Sequence, residues 1–152
     1  MTSKELLHEW EQCRAGLRKL AEAIPPGKES LAPVPGAMSL GDHVLHIASS
    51  DKTAADALTT TPGKWDWDTG LDTKRYPKLQ DILTVLDEQS ARIRAYLSSL
   101  TDAALASKIK TPWGETTVEL FFFSWITHEA HHRGSLVTSL RVAGVTPPNI
   151  WG

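Results

Sequence analysis

Apolar residues recur at helical spacing in four separate stretches of the chain, and each stretch opens with residues suited to a helix start. The first, about residues 3 to 24, has Thr2 three positions before Glu5 as a capping box and carries Leu6, Trp10, Cys13, Leu17, Leu20 and Ile24 on one stripe. Pro25-Pro26-Gly27 stops it, because proline cannot continue the ladder. The second, about 40 to 59, begins after Ser39 with Asp42 at the capping-box offset, and runs through Leu40, Val44, Ile47, Ala54 and Leu58 to Thr61-Pro62-Gly63. The third, about 78 to 100, has the cleanest repeat: Leu79, Ile82, Leu83, Leu86, Ser90, Ile93, Leu97 and Leu100. The fourth, about 117 to 142, takes Thr116 and Glu119 as its box and ends at Gly144. Its Leu120-Phe121-Phe122-Phe123 segment is apolar all round, so more than one of its faces is expected to be covered.

Only Lys108 to Thr116 offers another element, a short hairpin around Trp113-Gly114. With no further alternating run to build a sheet, the economical fold is all-α: a four-helix bundle forming a single domain of residues 1–152. The three connections run to roughly 14 to 17 residues, beyond the usual span between bundle helices. Each can cross a helix length when extended, so helices adjacent in sequence need not be antiparallel. The 61 to 77 loop holds Trp65, Trp67 and Tyr76, and the two tryptophans are expected to pack the loop rather than cover a substrate.

Composition narrows the function. The chain has 152 residues, with 16 Lys plus Arg against 18 Asp plus Glu, a net charge of -2, which lacks the positive field of a nucleic-acid binder. A single cysteine, Cys13, excludes an internal disulfide and a multi-cysteine zinc site, and lies on the first apolar stripe as a core residue. No apolar run approaches the roughly 18 residues that span a bilayer, and no signal-peptide core follows Met1, so no membrane partner and a reducing cytoplasm are expected. Neither G-x-S-x-G, G-x-x-x-x-G-K nor G-x-G-x-x-G occurs, which leaves serine-hydrolase, nucleotide and dinucleotide readings without support.

The six histidines carry the chemistry, at 8, 43, 46, 128, 131 and 132. His128 and His132 are four apart on one helix face, a spacing that lets two imidazoles share a metal. Ser135 and Ser139 on the same face leave room for an ion, water and substrate. The bland alternative, two polar residues on a solvated surface, fits poorly with the apolar stripe they occupy. His128-Glu129-Ala130-His131-His132 formally matches H-E-x-x-H, in which Glu129 would act as base to a metal-bound water. A peptidase of that kind needs a downstream third ligand, and from Ala130 onward only His131, His132, Arg133 and Arg141 titrate. The third ligand must come from upstream, where the second helix offers His43 and His46. Periodicity sets His43 about 60° and His46 about 120° from the centre of that helix's apolar stripe, so spacing alone favours His43. Asp51, near the stripe's centre, is a further candidate as ligand or acceptor to one. His8 falls on the polar side of the first helix.

Three stretches resemble the DinB/YfiT-like superfamily of metal-binding four-helix bundles, which is distinct from the translesion polymerase of similar name. They are Ser39 to Ala48, His128 to Leu136 with Leu140 to Gly144, and the tail Val145 to Gly152, with Thr111-Pro112-Trp113-Gly114-Glu115 before the last helix. The resemblance implies an up-down-down-up bundle, often a homodimer, holding Zn, Ni or a similar divalent ion. Its ligands carry over as His46, His128 and His132, His46 being the histidine followed by Ile47-Ala48, against the His43 that periodicity favours. The family often has Gln where this chain has Ser135. Several relatives use a low-molecular-weight thiol such as bacillithiol, mycothiol or glutathione. The resemblance therefore implies a thiol-dependent S-transferase or isomerase acting on a small electrophile; in such a site Glu129 is expected as base or as hydrogen-bond partner to a ligand, and Arg133 as the group that binds a carboxylate of thiol or substrate. Two alternatives stand beside it: a metal-dependent hydrolase using bound water, and a non-enzymatic dimeric stress-response or binding bundle whose histidines hold structure.

Overall fold

The computed structural model describes residues 1–151 and contains α1 (Ser3–Glu22), α2 (Leu40–Ala55), α3 (Leu79–Ser99) and α4 (Val118–Val142). A two-stranded antiparallel hairpin, β1 (Lys108–Thr111) and β2 (Gly114–Thr117), precedes α4. Gly152, the end of the tail and of the expected domain, lies outside the described residues. No helix is long and apolar enough to cross a membrane among the described residues.

Local signals place the helix starts. Thr2 and Glu5 form the expected reciprocal box, and Ser39 Oγ accepts from the Asp42 backbone N–H at 3.1 Å. Two boundaries differ from expectation. The α4 cap is Thr117, the last residue of β2, whose hydroxyl accepts from the Leu120 N–H; it lies one residue beyond the expected Thr116. The second helix leaves α geometry at Asp56 and finishes as a π-helical turn over Asp56–Thr60, where Thr61 donates back to the Asp56 carbonyl. Side-chain periodicity registers where apolar residues fall, not which carbonyl each amide reaches.

Helix direction follows from what each end packs against. The early part of α1 (Leu6, Trp10) shares a cluster with the end of α2 (Ala54, Ala55), the end of α3 (Ile93, Leu97) and the start of α4 (Val118, Phe121, Phe122). The late part of α1 (Leu17, Leu20) packs with the opposite ends of those helices: Leu40 and Val44, Ile82 and Leu86, Leu136 and Leu140. The bundle therefore runs up-down-down-up, with α2 and α3 parallel neighbours and α1 and α2 across the diagonal. Of the apolar Leu120–Phe123 segment, Phe121 and Phe122 are buried, but Leu120 and Phe123 stand exposed, so one face of it remains uncovered.

Between the two apolar clusters lies a polar layer with one residue from each helix. Arg14 of α1 donates to Asp51 of α2 at 2.6 Å, to Ser90 of α3, and through Nε and Nη2 to both carboxylate oxygens of Glu129 of α4. All four residues are buried. Such a layer costs desolvation and is retained only where every charge finds a partner.

Candidate metal centre

α2 and α4 run antiparallel side by side, so residue numbers rise on one as they fall on the other along their contact. The pairs are His43 with His132, His46 with His128, and Asp51 with Trp125. His46 Nε2 lies 3.1 Å from His128 Nε2, and the His132 ring centroid is 4.5 Å from that of His46 and 4.7 Å from that of His128. One ring nitrogen from each of His46, His128 and His132 falls within a mutual 4.8 Å. His43 is buried deeper, its Nδ1 3.2 Å from Nδ1 of His132. One of those two nitrogens must carry the shared proton, and the contact leaves the other nitrogen of His132 for an ion. Periodicity thus identifies the inward histidine correctly, but the inward one supports His132 from behind. The residue further round the helix, His46, joins the cluster.

Burial lowers the pKa of His43, His46 and His128. His132 is pushed down to about 3, first by burial and then by the surrounding imidazoles. At neutral pH the cluster is uncharged and its lone pairs converge, which is unfavourable unless a proton or a cation lies between them. A tetrahedral ion with Zn–N bonds of 2.0–2.1 Å separates its ligand nitrogens by about 3.3 Å, close to the observed His46–His128 spacing. The donor set therefore fits a divalent ion. It contains no carboxylate, so an ion held there would keep its full charge and open coordination positions.

Three residues expected at this centre stand elsewhere. Glu129 points into the polar layer, 1% exposed, where Arg14 occupies both oxygens, so it is not placed to act as a base at the histidines. Asp51 is likewise committed, to Arg14 and to the Trp125 indole N–H. Arg133, one residue from His132, is turned about 100° round α4 toward α1. There its guanidinium lies over Trp151 and would meet a Cβ added at Gly16, so it cannot hold a carboxylate at the histidines. Cys13 is buried, and its thiol is pushed up to about 12 by burial, which makes it unreactive.

Arg14 went unrecognised in the sequence, although a signal existed. It sits four residues after Trp10 on an apolar stripe, and a charged residue there implies a buried partner. A second feature joins two distant loops. A cavity of about 310 Å³ opens beside His46 and His128, walled by Trp67, Trp113 and Trp125 with Ser50 and Ser124. Trp65 packs the loop as expected, its indole N–H bonded to the Lys110 carbonyl, whereas Trp67 faces the cavity.

Residues 9–136 match the profile of the DinB superfamily. The chain belongs to the DinB superfamily. Other DinB-like structures share its fold along nearly the whole length. A DinB-like protein from Bacillus cereus ATCC 10987 is 21% identical with a TM-score of 0.75, covering 99% of this chain and 98% of its own. The DinB-like YjoA of Bacillus subtilis is 22% identical, TM-score 0.75, with 96% of each chain covered. YfiT of Bacillus subtilis, described as a probable metal-dependent hydrolase with an unusual four-helix bundle topology, is 20% identical, TM-score 0.73, covering 93% of this chain and 87% of its own. Among curated proteins no significant match is found.

Proposed function

We propose that this DinB-superfamily chain is a metal-dependent hydrolase whose ion is held by His46, His128 and His132. The observation that carries the reading is the convergence of three uncharged imidazoles from α2 and α4 within 4.8 Å, without a carboxylate, at the mouth of a cavity. The description of YfiT as a probable metal-dependent hydrolase on the same fold supports it. A divalent ion in such a donor set lowers the pKa of a bound water toward about 7 and polarises a substrate oxygen. The chain's own contribution is positional. His128 and His132 are set by one helix turn, His46 is brought to them by the antiparallel crossing, and His43 holds the His132 ring from behind. Glu129 and Asp51 keep Arg14 compensated and anchor α1 to the helices that carry the histidines.

The test begins with elemental analysis of the purified protein beside His46→Ala and His43→Ala. Metal content should vanish in the first and fall only partly in the second. The zinc- and nickel-loaded proteins are then assayed on esters and amides without thiol. Turnover that requires bacillithiol, mycothiol or glutathione would replace hydrolysis with thiol transfer, and full metal content in His46→Ala would remove the centre itself.

A further inference from the structure

We propose that the cavity beside His46 and His128 binds a flat, uncharged aromatic molecule against the indoles of Trp67 and Trp113, with its polar end toward the histidines. As a statement about substrate it rests on the hydrolase reading; as a statement about binding it does not. Trp67 and Trp113 come from different loops, yet they stand 6.1 Å apart at the same opening, 48% and 63% exposed. Two large indoles left half in water at one mouth are an unfinished contact.

They are also held in place. Trp65 donates to the Lys110 carbonyl at 3.0 Å and packs on Phe121 at 5.5 Å. From that anchor it supports Trp67 at 6.4 Å, nearly parallel, and Trp113 at 6.0 Å. Asp42 fixes the far end of the loop by accepting from the Thr73 backbone N–H at 2.8 Å. The floor is Trp125, whose indole N–H is taken by Asp51.

The lining decides the class of ligand. No charged side chain walls the cavity; its polar groups are the Ser50 and Ser124 hydroxyls and the two imidazoles. Neither an anion nor an organic cation would find a side-chain counter-charge there, so a charged group would be taken out of water without compensation. A cavity of about 150 Å³ holds benzene, so 310 Å³ suits a molecule of one or two rings. Ring-on-indole contacts favour an aromatic over an aliphatic body of equal size by roughly three- to tenfold.

Calorimetric titration of the metal-free protein, kept under chelator, separates this inference from the metal reading. The probes are naphthalene-2-carboxamide, its decahydro analogue, naphthalene-2-carboxylate and a naphthyl trimethylammonium. The aromatic amide should bind tightest, and Trp67→Ala and Trp113→Ala should each weaken it about tenfold while Trp67→Phe retains it. Both sites lie on exposed loop surface, so melting temperatures and metal content of the variants should match the parent. Equal binding of the saturated amide, a preference for the anion or the ammonium, or unchanged affinity in both alanine variants would overturn the inference, as would no binding of any probe. Loss of metal binding or hydrolysis with aromatic binding intact would instead count against the hydrolase reading alone.

Discussion

Replacing Arg14 with methionine removes the only cation in the polar layer and leaves Asp51 and Glu129, both essentially inaccessible, without compensation. Removing one partner of a buried ion pair costs about 3 to 5 kcal/mol, and two stranded carboxylates place this case toward the upper end. For 152 residues the unfolding entropy is about 0.3 kcal/mol/K, so the melting temperature should fall by about 10 to 15 °C. The pH dependence identifies the cause. Burial already raises the Glu129 pKa, and Arg14 is the largest influence opposing it. Without Arg14 the folded-state pKa rises further above the unfolded value of about 4.3, so the native state binds the proton more tightly and stability is lost as pH increases. The gap between parent and variant, followed by circular dichroism under chelator, should therefore be widest near about pH 8 and narrow toward about pH 5. A gap under about 3 °C, or one that widens on acidification, would refute the assignment of Arg14 as counter-charge to the layer.

Glu129→Gln should melt well below the parent yet keep its turnover per folded molecule on the substrates of the hydrolase assay; loss of turnover at an unchanged melting temperature would restore Glu129 as a base. The metal-free parent should lose stability as pH falls below about 6.5, because the His132 pKa drops to about 3 on folding; the linked loss is about 2 kcal/mol by about pH 5, read from melting curves. Zinc at a hundredfold excess over its Kd should raise the melting temperature by about 8 °C, and His46→Ala should abolish that shift. Gly41→Ala should destabilise by about 1 to 2 kcal/mol despite alanine's better helix propensity, since its Cβ would come within 2.7 Å of Thr73, 2.8 Å of Ile82 and 3.0 Å of the Glu29 carbonyl; urea unfolding measures it.

Features encoded within about four residues were legible from the chain alone. The Thr2 and Ser39 caps, the stripes of α1 and α3, the hairpin before α4 and the shared face of His128 and His132 all follow from local spacing, because helical geometry fixes which side chains are neighbours. Tertiary structure decided the rest. His43 and His46 differ by less than one turn, and only the register of α2 against α4 determines which meets His128 and which backs His132. Glu129 matches a catalytic pattern, but the direction of its side chain depends on Arg14, more than a hundred positions away. The start of α3 has no side-chain cap of its own and borrows Glu29, which accepts from the Leu79 N–H at 3.0 Å. Trp67 and Trp113 belong to separate loops whose approach no periodicity records. Where helices cross, and which buried charges must find one another, is set by packing of the whole bundle at once, and that information is not held in any single segment.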